Sequence, residues 1–181
     1  LVVDLDAMER NIQRMADFAR KHQVRWRPHA KMHKSAALAL QMQRAGAQGV
    51  CVQKVSEAEA LADGGVTDIA ITNEVVAMPK LQRAARLAAR LAAQGGRLAI
   101  AVDHAEGIAR LAEAMALHGS NAGIDVLVEI DVGQGRCGVP PGEAAVPLAL
   151  AVSRSPRLRF AGLQAYHGRA QHLASSVGRR E

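Results

Sequence analysis

Aromatic residues are almost missing from this chain: its 181 residues include one Trp, one Tyr and two Phe. A binder of single-stranded nucleic acid needs aromatic platforms for base stacking, and Trp26, Tyr166 and two Phe do not make a set of them. That argues against a nucleic-acid partner in spite of a net charge of +6 and an isoelectric point near 10.0. The basic residues are also spread along helical segments, as at Arg83, Arg86 and Arg90, a pattern of solvated helix faces. Cysteine is scarce. Cys51 and Cys137 are too few for a disulfide framework and suggest a reducing, cytoplasmic setting. No apolar run approaches the roughly 20 residues that cross a bilayer. A membrane span is therefore not expected, and the start, Leu1-Val2-Val3-Asp4, with neither an initiator Met nor a charged leader, shows no signal peptide.

What is present fits a globular chain. Hydrophobic residues make up 49% against 22% charged, too apolar for a disordered tail, and Gly and Pro follow no strict period. Strand-like runs alternate with alanine-rich helical stretches. Leu1–Leu5 reads as a short strand, with Asp6 capping a helix from Ala7 to about His22. Further strands are expected at Val24–Ala30, Gly49–Gln53, Asp68–Thr72, Leu98–Asp103, Asp125–Val132 and Phe160–His167. Helices are expected between them, at Ser35–Ala45, Ser56–Asp63, Pro79–Gln94, His104–His118 and Gly142–Ser153. Crossovers of this length imply parallel pairing, which doubly wound sheets and (β/α) barrels both satisfy. The expectation is an α/β chain with about six strands of a barrel that needs eight.

One strand candidate has the wrong chemistry for a parallel sheet, whose strands are normally continuous apolar runs. In Val24–Lys31 the residues Arg25, Arg27, His29 and Lys31 share one face, and His33 joins them if the chain stays extended. Such crowding of cations is unfavourable unless water or an anion offsets it. Either this is an edge strand with a wet basic face, which Pro28 permits, or it lines a pocket for an anionic ligand at a strand's carboxyl end. A lysine in such a pocket, crowded by cations and partly desolvated, can act as a Schiff-base nucleophile towards an aldehyde.

Two more polar strand ends stand out. Gly133-Gln134-Gly135-Arg136-Cys137-Gly138 follows an apolar strand and formally satisfies G-x-G-x-x-G. It fails as a dinucleotide fingerprint because Val139-Pro140-Pro141 delays any helix and no acidic residue stands about 20 positions on. A glycine turn carrying one fixed Arg suits a phenolate or carboxylate better. The other strand end, Gly162 to His172, places the single Tyr166 beside His167. A histidine alone at a strand end is ordinarily structural; two neighbouring polar strand ends give this one more weight.

Arg27-Pro28-His29-Ala30-Lys31-Met32-His33-Lys34 resembles the R-P-H-x-K-x-H-K segment of the D-threonine aldolase and D-serine dehydratase family. These are pyridoxal 5'-phosphate enzymes of the alanine racemase N-terminal type (fold type III). The opening Leu1–Asp6, the Asp131–Val139 run and Gly162–Gly168 agree in the same order, so the resemblance covers essentially the whole chain. It implies that Lys31 forms the internal aldimine, with Lys34 the lesser candidate, and that His29 and Gln53 lie at the cofactor. It also implies Arg136 near the phenolic oxygen, Tyr166 against the pyridine ring, and His167 as a base close to the substrate hydroxyl. Residues 1–5 would belong to the family's C-terminal β domain, absent here, and residues 6–181 to a partial cofactor-binding barrel.

The implied activity is metal-assisted cleavage of a D-3-hydroxy amino acid, of the D-threonine or 3-hydroxy-D-aspartate type, to glycine and an aldehyde. The alternatives are a D-serine or 3-hydroxyaspartate dehydratase and, from another class, a non-catalytic carrier of pyridoxal 5'-phosphate. No metal ligand is assigned to this chain. A divalent metal (Mn, Mg or Zn) and a homodimer are expected only in the full-length enzyme; with six strand candidates where eight are required, these residues alone are expected to be inactive or poorly folded.

Overall fold

The computed structural model describes residues 2–180. Five strands form one sheet in the order β1-β2-β3-β4-β5, with β1 Val50–Val52, β2 Asp68–Glu74, β3 Arg97–Val102, β4 Ile124–Ile130 and β5 Leu158–Ala165. The pairs β1–β2, β3–β4 and β4–β5 are parallel. The helices are α1 Leu5–Lys21, α2 Ala36–Arg44, α3 Val55–Asp63, α4 Met78–Ala93, α5 Ala105–His118 and α6 Val146–Arg154. Helical crossovers between parallel strands are the connection that parallel pairing requires. Among the described residues no helix is long and apolar enough to cross a membrane.

The chain divides into two compact units, Leu1–Thr72 with Arg90–Leu98, and Asn73–Ala89 with Ala99–Glu181. In the first, Val50, Val52, Ile69 and Ile71 of the strands are buried together with Ala58 and Leu61 of α3. In the second, Ile100, Val126 and Val128 of the strands and Leu111, Met115 and Val152 of α5 and α6 are buried. β5 differs: Phe160, Leu163 and Tyr166, just past its end, are 41%, 53% and 43% exposed, so this strand lacks the covering that parallel strands normally have.

Helix ends follow local chemistry. Ser35 caps α2 by accepting from the Leu38 N–H, and His104 caps α5 through the Glu106 N–H. Four expectations are corrected. Among the described residues Val2–Asp4 form no strand, and the cap of α1 is Asp4, which accepts the Ala7 N–H at 2.9 Å, instead of Asp6. Gly142–Ser153 is not one helix: a 3-10 turn at Glu143–Ala145 precedes α6, whose first turn carries Pro147. Val24–Ala30 makes no strand and keeps a single parallel bridge, His29 to Cys51. Pro28 has no N–H to offer a ladder, so this segment runs beside β1 with a rung missing.

Candidate functional site

In the first unit, the segment before Lys31 is tied to β1 by its backbone. Pro28 O accepts the Cys51 N–H at 2.8 Å and Ala30 N–H donates to Cys51 O at 2.8 Å. The anion that offsets the basic face is internal: the Asp68 carboxylate at the start of β2 accepts from Arg27 and, at 2.7 Å, from Arg97 Nε. With side-chain exposures of 13% for Asp68 and 22% for Arg27, this pair is largely withdrawn from water and Arg27 is not left for an external ligand.

His29 is engaged at both ring nitrogens. Its Nδ1 accepts the Lys31 N–H at 3.2 Å and its Nε2 lies 3.3 Å from Thr72 Oγ1. An Nδ1 that accepts carries no proton, so the neutral ring holds its proton on Nε2 and donates it to Thr72. The Thr72 hydroxyl then donates to Val52 O at 3.2 Å. Burial, and after it the neighbouring Lys31 charge, hold the His29 imidazole below its usual range, with Glu57 and the Cys51 carbonyl opposing. The Lys31 side chain is exposed, so the residues described here do not provide the desolvation expected from sequence.

Four residues on, His33 repeats the device: its Nδ1 accepts the Ser35 N–H at 3.1 Å, and burial pushes its imidazole down. Its Nε2 is buried, with no hydrogen-bond partner among the described residues. Lys34, at φ +49°, places Nζ 3.5 Å from Glu57 Oε1. Glu57 also accepts the N–H groups of Gln53 at 3.0 Å and Lys54 at 3.3 Å, closing the turn that leads from β1 into α3. Burial alone would raise the Glu57 carboxyl; the two N–H groups and the Lys34 ammonium outweigh it and hold the carboxyl below its usual range.

In the second unit, β4 ends at Ile130 and the chain turns through Asp131–Val139. Asp131 accepts the N–H groups of Gly133 at 3.0 Å and Gly135 at 2.9 Å, and the Asp103 carboxylate accepts that of Gly138 at 3.1 Å. Asp131 N–H donates to Val139 O at 2.9 Å and Val139 N–H to Glu129 O at 3.0 Å, so the turn is closed at its base. Gly138 is required there. At φ +101°, its Cβ would lie 2.6 Å from Asp131 N and 3.1 Å from Glu129 Cγ.

That closed turn presents Arg136. Its guanidinium stands 5.2 Å over the Tyr166 ring and 3.9 Å from Glu129 Oε1, with the side chain 45% exposed. Glu129 is 2% exposed and also accepts from the Gln164 amide on β5. Burial pushes the Glu129 carboxyl up; Gln164 and Arg136 oppose this, whereas Glu74 and Asp103 add to it. His167 lies against the turn, since a Cβ on Gly133 would meet His167 Cε1 at 3.2 Å.

The site residues read from sequence therefore fall into two groups: His29, Lys31 and Gln53 in one unit, and Arg136, Tyr166 and His167 in the other. Sequence reasoning missed Thr72, Glu57, Glu129 and Gln164. Glu129 had a readable signal, a charge inside the apolar run Val126-Leu127-Val128-Glu129-Ile130. Thr72 had none, because its role depends on the pairing of β1 with β2. Glu74, Asp103 and Cys137 each offer a ligand atom within 4.8 Å of the others, a donor set a divalent cation can use. Burial and then Glu74 push the Cys137 thiol up, so a protonated thiol bonded to Glu74 accounts for the contact without an ion.

Known proteins resemble this chain along nearly its whole length. The 3-hydroxy-D-aspartate aldolase of Paracoccus denitrificans (strain Pd 1222) is 48% identical over 181 residues, 99% of this chain and 45% of that protein. The crystal structure of D-threonine aldolase from Filomicrobium marinum superposes with a TM-score of 0.93 at 50% identity, covering 99% of this chain and 47% of that one. The D-threo-3-hydroxyaspartate dehydratase of Delftia sp. (strain HT23) is more distant, 35% identical over 95% of this chain and 44% of that protein. The chain thus spans about half the length of the relatives it matches. The family described as alanine racemase, N-terminal domain, matches residues 3–179, and the chain belongs to it.

Proposed function

We propose that this chain is the cofactor-binding part of a pyridoxal 5'-phosphate-dependent aldolase. Its substrate is a D-3-hydroxy amino acid of the D-threonine or 3-hydroxy-D-aspartate type, and its products are glycine and an aldehyde. One observation carries the reading: identity of 48% and 50% to two aldolases extends over 99% of the chain, against 35% to a dehydratase. Each unit carries residues that fit a part of the cofactor's chemistry. Lys31 offers an exposed amine for an aldehyde, Arg136 a half-exposed guanidinium for a phenolate, and Tyr166 an aromatic face.

Pyridoxal 5'-phosphate, when bound, supplies the electron sink for the pair left on Cα. The chain's own residues do the rest. The Lys31 amine would hold the cofactor's aldehyde carbon. Arg136, fixed by Glu129 and Tyr166, holds a planar oxyanion in a fork. A ring nitrogen of His167 takes the substrate hydroxyl proton as the Cα–Cβ bond breaks and the aldehyde carbonyl forms. His29 and Gln53 stand in the unit that carries Lys31.

The same reading places residues 1–5 in a β domain supplied by the rest of the protein, and residues 6–181 in the barrel. A divalent metal (Mn, Mg or Zn), held by ligands in the rest of the protein, would supply polarisation of the substrate hydroxyl, and the whole enzyme would be a cytoplasmic homodimer. Product analysis on D-threonine and 3-hydroxy-D-aspartate tests the activity: glycine with an aldehyde supports cleavage, and a 2-oxo acid with ammonia means elimination. Lys31→Ala is expected to abolish the visible absorbance of the lysine-bound cofactor. Survival of that band would move the role to Lys34.

A further inference from the structure

We propose that Thr72 and His29 form a tautomer lock that positions Lys31. The inference rests on reading Lys31 as the cofactor lysine and adds Thr72 as a positioning residue. Lys31 sits in a turn just beyond a segment that has lost its strand ladder, so β1 holds it only through Ala30 and the single bridge at His29. The side chain of His29 supplies the further tie. Nδ1 takes the Lys31 N–H, and this requires an unprotonated Nδ1. Thr72 secures that tautomer from the next strand, where its hydroxyl oxygen accepts Nε2–H while its own proton goes to Val52 O. The chain of donors runs in one sense, Lys31 N–H to His29 to Thr72 to Val52 O, and each member has its partner.

The charged groups facing His29 are Lys31 and Glu57, with the Cys51 carbonyl of β1 also against the ring. A second proton on His29 would put a donor against the Lys31 N–H and a cation beside the Lys31 ammonium. Both effects would displace the lysine, so the lock also makes its placement acid-sensitive. His29 then acts on the cofactor through Lys31, since both ring nitrogens are already bonded.

Thr72→Val keeps shape and removes the hydroxyl; Thr72→Ser keeps the hydroxyl. Without ligand, imidazole 15N spectra of Thr72→Val should show His29 losing its Nε2–H preference. The Lys31 amide should exchange about fivefold faster, the cost of one modest hydrogen bond. Thr72→Ser should restore both. With pyridoxal 5'-phosphate, borohydride trapping at Lys31 should slow about tenfold in the Val variant and recover in the Ser variant. An unchanged tautomer and Lys31 exchange in Thr72→Val would overturn the lock. Altered exchange with undiminished trapping would overturn its positioning role. Wild-type protein that traps cofactor elsewhere than Lys31 would instead overturn the function proposed above while leaving the apo lock standing.

Discussion

The two cation-bearing loops are held by different chemistry. The Lys31 turn leans on neutral imidazoles, with Nδ1 of His29 and of His33 each accepting the N–H two residues on. The Arg136 turn leans on carboxylates, Asp131 for Gly133 and Gly135 and Asp103 for Gly138. An imidazole stops accepting when it gains a proton near neutrality, and a carboxylate does so only in much stronger acid. One loop is therefore sensitive to modest acidification and the other is not. On the proposed reading Lys31 is a nucleophile that changes partners and Arg136 a charge that stays in place, and the two kinds of support suit those roles.

The comparison breaks most sharply at Gly138. Gly138→Ala forces a left-handed φ on a residue with a side chain and drives its Cβ to 2.6 Å from Asp131 N and 2.7 Å from Ile130 C. The expected loss is about 3 kcal/mol or more, read from the denaturant midpoint. Gly135→Ala, at φ +65° with nothing within 4 Å of the new Cβ, should cost only about 1 kcal/mol. Equal costs for the two would mean that the turn does not pack down on Glu129. On the other side, Asp68→Asn leaves Arg27 and Arg97 without their carboxylate; since Arg97 is 44% exposed, about 2 kcal/mol is expected in place of the larger cost of a fully buried pair.

Acid titration sharpens the comparison with smaller effects. His29 has its folded pKa below the ordinary 6.5, so the unfolded chain binds the proton first. Its contribution is present above pH 6.5 and is lost as pH falls from there through the folded value. Asp131 is held below the ordinary 3.8, chiefly by the N–H of Gly135 and then of Gly133, so its contribution persists until pH falls below 3.8. Backbone amide shifts should follow this order: Lys31 moves at a midpoint below pH 6.5, and Gly133 and Gly135 stay fixed to below pH 3.8. Simultaneous movement would show that both loops report one global transition.

How much of this was legible in the sequence depends on whether a feature is local. The starts of α2 and α5 were, because Ser35 and His104 are caps that act within three residues of themselves. The motif residues were also legible as groups, since His29 and Lys31 are two apart, as are Arg136 and Gly138. Val24–Ala30 was misread as a strand because alternation signals an extended chain without saying whether a neighbour completes its ladder, and Pro28 takes a rung away. Asp68 as the answer to Arg27 lies 41 residues off, and Thr72 meets His29 across 43. Such pairs exist only after β1 and β2 find register.

Glu129 offers the finest test of the contrast. It is the one charged group among the described residues buried to 2% exposure, and it faces Arg136 at 3.9 Å, longer than a firm hydrogen bond. Burial, reinforced by Glu74 and Asp103, raises its pKa above the ordinary 4.5. A raised carboxyl stabilises below pH 4.5, and that contribution is lost as pH climbs through the folded value. Glu129→Gln keeps an acceptor for Gln164 and removes the charge, so it should lie within about 1 kcal/mol of wild type at pH 7 and flatten the pH dependence of stability above 4.5. A loss of about 3 kcal/mol or more would show instead that an ionised Glu129 and Arg136 attract strongly enough to outweigh desolvation. The Arg136 turn would then rest on carboxylates throughout, in fuller chemical contrast with the imidazole-held Lys31 turn.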